Sequence, residues 1–342
     1  MSARREPWGT TRAGDAVELV TLERGALCAR LTSFGAALVS LEVPDRRGER
    51  GDVVLGFDAL AGYDSAANAY FGGLIGRCAN RIRGARFELD GRAHSLTVNE
   101  GRQHLHGGVR GFDRRAWTLD LGADAVTFRR RSREGEEGYP GALDVAVTYA
   151  LLEDALDIEV EARTDAPTLC NLTQHSYFNL SGADTVLEHE LEVDTAQVVA
   201  VDDELVPTGA LAWLAGTRFD LRGAARLGER VRPGTRGGID LCYAVGALAS
   251  GRGAPRPVAR LSEPTSGRTL TIESDAPGLQ VYTGHHLAGV PGKGGRTYGP
   301  YAGLCLESQG FPDAVHHAAF PSVVLRPGER FVQRTLWRFG TA

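Results

Sequence analysis

Apolar and polar residues alternate along most of this chain, in short runs broken by glycine and proline. The clearest run, Leu143-Asp144-Val145-Ala146-Val147-Thr148-Tyr149, repeats every second residue and so has one half-buried face. By the same pattern residues 16–22, 26–31, 37–43, 52–57, 87–89, 125–129, 143–151 and 155–162 read as strands. Residues 185–193, 197–201, 269–274, 279–283, 304–308 and 330–339 continue the style. Glu153-Asp154 between two such runs predicts an antiparallel hairpin. Glycine and proline punctuate the strands at Gly234, Gly237-Gly238, Pro291-Gly292 and Gly294-Gly295. A single short helix is expected over 59–65, and long amphipathic helices are absent. Strands without crossover helices pair antiparallel, so the expected class is all-β, a sandwich or barrel. No linker, repeat or low-complexity tract divides the 342 residues. They are read as one domain, with a polar, peripheral segment at 1–12 and a loop inside the domain at 250–257.

Charge and composition narrow the function. The formal charge of −5 argues against a basic face for nucleic acid. The densest basic run, Arg129-Arg130-Arg131-Ser132-Arg133, meets Glu134, Glu136 and Glu137 at once and reads as a solvated strand end. No apolar run approaches the length of a membrane span, and the charged start has no apolar stretch behind it, as a secretory signal would. The five cysteines (Cys28, Cys78, Cys170, Cys242, Cys305) are scattered and form no C-x-x-C, which predicts buried free thiols and a cytoplasmic setting. No dinucleotide fingerprint, phosphate loop or nucleophile elbow is present.

Five polar clusters remain. Asn80 and Arg81 interrupt a small, apolar run, and a guanidinium fork matches adjacent sugar hydroxyls as well as it suits a surface turn. His104 and His106 would share a face on a strand, a metal half-site without the further ligands a metal needs. Gly107-Gly108 allows a sharp turn or a close approach to a ligand and favours His106 as the pocket residue. His175 titrates near neutrality and sits beside Tyr177 and Phe178, either as a proton donor with apolar walls or as a satisfied core histidine. Asp240 follows Gly237-Gly238 and serves hydroxyl binding or an Asx turn. On a strand, Glu307 would share a face with Cys305 and Gln309, opposite Leu304 and Leu306, where a carboxylate must be paired or solvated.

Taken in order, G-R-C-A-N-R-I at 76–82, L-H-G-G at 105–108 with G-F at 111–112, and T-Q-H-S-Y-F-N-L at 173–180 resemble the aldose 1-epimerase, or galactose mutarotase, family. So do G-G-I-D at 237–240, Q-V-Y-T-G at 280–284 and E-S-Q-G-F-P-D-A at 307–314. The resemblance implies a large antiparallel β-sandwich of the galactose mutarotase-like supersandwich type, with few short helices and an open cleft. It implies cofactor-independent interconversion of the α and β anomers of free aldohexoses such as galactose and glucose, with no metal. By family role Glu307 is the general base and His175 the general acid; nearby carboxylates, Glu307 or Asp240, are expected to help keep His175 protonated. Arg81, His106 and Asp240 bind and orient the sugar, with Asn80 and Tyr282 lining the pocket. A monosaccharide is then the partner, with no nucleic acid and no membrane, in a monomer or homodimer. The chain departs from the family pattern at Leu241-Cys242 and at Val315-His316, beside the site residues. Three other readings use the same residues. They are a glycoside hydrolase with Asp240 and Glu307 as its carboxylates, a non-catalytic sugar-binding protein, and a hexose-phosphate epimerase needing extra basic groups.

Overall fold

The computed structural model describes residues 2–232, 237–246 and 253–342. Gly234 and residues 250–252, expected in turns, lie outside the described residues. Three antiparallel sheets dominate. Five strands form the first, in chain order from Ser2–Thr10 to Arg50–Asp52. Nine form the second, with Leu143–Leu151, Ala155–Thr164 and Phe331–Thr341 side by side near its middle. The third has six, ordered Tyr177–Phe178, Leu304–Gln309, Gly278–Tyr282, Asp240–Ala244, Gln197–Val201 and Pro207–Trp213. The expected all-β sandwich is therefore the architecture, and its helices are short, Leu60–Tyr63 among them.

One continuous apolar cluster ties the sheets together. Val20, Leu38 and Leu41 enter it from the first sheet, Val147, Ile158, Ile272 and Trp337 from the second, and Leu304 and Leu306 from the third. Alternation puts them there: along Leu143–Leu151 every second residue from Leu143 is buried. Phe178 meets Trp337 edge to face, with centroids 4.8 Å apart. Phe178, expected as a cleft wall, is thus a core residue. Its neighbour Tyr177 points the other way because successive strand residues take opposite faces.

Two expected strands are cut short beside local polar contacts, and two segments not expected as strands form them. The run expected at 52–57 stops at Asp52, whose carboxylate accepts the N–H groups of Leu41 and Val54 and pairs with Lys293 Nζ at 2.6 Å. The strand expected at 185–193 becomes regular only at Glu190, since His189 Nε2 accepts the N–H of Leu180 at 2.9 Å. Residues 2–10 pair along Ala16–Arg24 as a mostly exposed edge strand. The loop expected at 250–257 is overtaken at Arg256, which opens the strand Arg256–Ser262. Among the described residues no helix is long and apolar enough to cross a membrane.

Candidate active site

Sheet register builds the floor of the cleft. Gln280 lies opposite Glu307 on one side and Cys242 on the other, while Tyr282 lies between Asp240 and Cys305. On a pleated sheet these form two adjacent rows on one face. Leu304 and Leu306 take the opposite face and anchor the same strand in the core. Gln280 Nε2 donates to Asp240 Oδ1 at 2.6 Å, and Gln280 Oε1 and Glu307 Oε2 are buried without a protein partner. Both atoms can accept or share a hydroxyl hydrogen from a bound molecule.

The side wall comes from tight turns. Arg77 reaches inward and spends all its N–H groups on Ser132 Oγ, Thr168 Oγ1 and the carbonyls of Ser132, Arg133 and Pro140. That buried anchor holds the segment leading to Asn80 and Arg81. Asn80 adopts φ 61°, its side-chain oxygen accepts the N–H of Arg81, and its own N–H donates to His106 Nδ1 at 3.2 Å. His106 Nδ1 is therefore the acceptor, which leaves the proton on Nε2. Downstream, the carbonyl of Arg81 accepts the N–H of Asp313 at 3.1 Å. His316 bonds Asp313 at 2.6 Å and plays no part in lining the cleft.

The histidine pair at 104 and 106 does not share a face. The strand ends at Leu105, and His106 turns to φ 51°. His104 is fully buried, its Nδ1 donating to the Thr97 carbonyl and its Nε2 accepting from Tyr139 Oη, both at 2.7 Å. With both nitrogens engaged it is no metal ligand. Gly107 serves packing, because a Cβ there would sit 1.8 Å from the Gly76 carbonyl oxygen.

These elements enclose a cleft of about 200 Å³. All seven site residues expected from the sequence line it: Asn80, Arg81, His106, His175, Asp240, Tyr282 and Glu307. Tyr70, Glu100, Gln280, His286 and Leu287 line it too and were not singled out. Gln280 had a signal, since it opens the Q-V-Y-T-G run one strand step from Tyr282. Tyr70 had none, because its place depends on a left-handed turn at φ 66°. Its ring packs 4.7 Å from His106 and 5.6 Å from His175.

At the centre His175 Nε2 stands 3.7 Å from Glu307 Oε1, with side chains 4% and 2% exposed. Burial pushes the His175 pKa down to about 4. Burial, and secondarily the charge of Asp240, push Glu307 well above the usual carboxylate range. Both shifts favour the uncharged forms, a neutral imidazole beside a protonated carboxyl. Burial thus works against the expected imidazolium at His175. Burial likewise raises Asp240. The donor atoms of His175, Cys305 and Glu307 fall within 4.8 Å of one another, a possible metal grouping in outline. Cys305, however, is fully buried and stands off the cleft wall, its Sγ 3.6 Å from His175 Nδ1.

Comparison with known proteins agrees with this geometry. The family model for aldose 1-epimerase matches residues 18–338. The chain is 41% identical to galactose mutarotase of Bos taurus over 95% of each chain. It is 33% identical to aldose 1-epimerase of Escherichia coli (strain K12), over 95% of this chain and 96% of that one. A solved aldose epimerase homologue from C. elegans superposes with a TM-score of 0.86 at 33% identity, covering 94% of this chain and 99% of that one. With its strands, its cleft and its sequence all in agreement, the chain belongs to the aldose 1-epimerase family.

Proposed function

We propose that this isomerase interconverts the α and β anomers of free aldohexoses such as galactose and glucose, with Glu307 as base and His175 as acid. The observation that carries the reading is the 3.7 Å approach of His175 Nε2 to Glu307 Oε1 on a sugar-sized cleft floor. O1 and O5 of a pyranose share one carbon, so two groups this close can address both oxygens of the hemiacetal.

The protons balance within the pair. Glu307 as carboxylate takes the O1 proton while His175 as imidazolium delivers one to O5, and the C1–O5 bond breaks to an aldehyde. The pair is then a neutral acid beside a neutral imidazole, the form that burial favours. Each placed proton transfer is worth roughly 10²–10⁴-fold. Rotation about C1–C2 presents the other carbonyl face, and the steps reverse. Arg81, His106 and Asp240 bind the remaining hydroxyls, with Asn80 shaping the wall and Tyr282 the floor. The free, buried state of all five cysteines supports a reducing, cytoplasmic setting.

The hydrolase reading gains nothing here. Asp240 is committed to Gln280, and His175 Nε2 stands 3.7 Å from Glu307 Oε1. Polarimetry on freshly dissolved α-D-galactose and α-D-glucose tests the proposal. Faster decay to an unchanged final rotation is expected. Release of nitrophenol from nitrophenyl glycosides, without that acceleration, would overturn it.

A further inference from the structure

Arg81 is the arginine that lines the cleft, and Glu100 already holds it. Its Nε donates to Glu100 Oε2 and its Nη2 to Oε1, both at 2.7 Å, a fork-on-fork pair that fixes the guanidinium plane. Arg81 is 11% exposed and Glu100 36%. Glu100 is itself placed by the turn it opens, where its N–H and carbonyl both pair with the backbone of Gln103. Gln103 in turn donates to Glu204 at 2.6 Å. Of the guanidinium donors, both on Nη1 and one on Nη2 remain unclaimed by Glu100.

A guanidinium without a counter-charge in a small polar cleft is a receptor for carboxylate and phosphate. One whose charge is matched keeps its directional donors and loses that preference. Asp240 and Glu307 on the same cleft add no attraction for an anion. We propose that Glu100 is a specificity-determining residue: by pairing with Arg81 it leaves donors suited to neutral sugar hydroxyls and bars phosphorylated or acidic sugars from the cleft. This rests on the mutarotase reading of the same site.

Calorimetric titration with inorganic phosphate tests it without any turnover. Glu100→Gln, of nearly the same shape, is expected to bind phosphate about tenfold more tightly than the unaltered chain, the scale of one charge-assisted hydrogen bond. Phosphate should then compete with galactose in the variant, and KM for galactose should rise more than kcat falls. Adding Arg81→Gln should abolish the gain. Equal phosphate affinity in variant and unaltered chain, or a gain that survives loss of Arg81, overturns the proposal. If Glu100→Gln melts below the assay temperature, Glu100→Asp, which retains the charge but spans the fork poorly, is titrated instead. A smaller gain of the same sign supports the idea, and none refutes it. Failure of the unaltered chain to mutarotate galactose would sink the functional reading alone and leave the phosphate result intact.

Discussion

At His175 and Glu307 one physical cause acts in opposite senses. Loss of water disfavours charge, so the imidazole becomes harder to protonate and the carboxyl harder to ionise. Across the range between those two shifted values the pair holds one proton, as the reaction requires. The pH profile of kcat/KM should therefore be a broad bell belonging to the pair as a whole. Its acid limb is expected near pH 4, where His175 takes a second proton, and its alkaline limb above the ordinary carboxylate range. An acid limb centred on an ordinary histidine value would show that burial is not the controlling influence. Glu307→Gln is expected to lower kcat by roughly 10²–10⁴-fold, with sugar affinity changed far less. Polarimetry and equilibrium titration read the two quantities separately. That His175 and Glu307 line one cleft was foreshadowed by the polar runs in which each stands. The resting protonation was not legible, because it depends on burial by residues remote in sequence.

The elements divide into those a pattern can announce and those it cannot. Leu143–Leu151 and Ala155–Thr164 carry enough alternation for the period to be read directly. Arg81–Ile82, His104–Leu105 and Tyr177–Phe178 are two-residue strands, and no period exists in two residues. Yet these short pieces form the cleft wall, held by a buried arginine and left-handed turns rather than by long ladders. Replacing Arg77 by Met should strip donors from three carbonyls, one of them in a buried contact and two in part-buried ones, and cost about 3 kcal/mol or more in a urea melt. Activity should fall with it as Asn80 and Arg81 lose their mooring. Gly107→Ala forces a Cβ against the Gly76 carbonyl at φ +85° and should destabilise by about 2 kcal/mol. A serine at exposed Gly48, where nothing lies within 4 Å, provides a milder comparison.

For the molecule as a whole, holding Glu307 out of water costs stability. An unfolded glutamate ionises near about pH 4.3, whereas the folded one retains its proton to higher pH. Above about pH 4 the unfolded chain therefore releases a proton that the folded chain keeps, and stability falls as pH rises through that window. Glu307→Gln removes this penalty. Its melting temperature should exceed that of the unaltered chain by a few degrees at pH 7, with the difference closing toward pH 4. A variant that melts lower at pH 7 would mean the carboxylate makes a compensating contact in the folded state. The overall sandwich was legible from alternation and from the lack of helical period. Which sheet carried the cleft was not, because the cross-strand register that lines up Cys242, Gln280 and Glu307 leaves no mark on any one strand.

Leu304–Gln309 has two masters: its one face is sewn into the hydrophobic interior and its other bears Glu307. A change of sugar preference by mutation is therefore poorly served by that strand, where every step that moves Glu307 also disturbs the interior. Adaptation to new sugars has freer ground at the rim, around Glu100 and His286, where side chains can be exchanged while the proton-handling pair stays where it is.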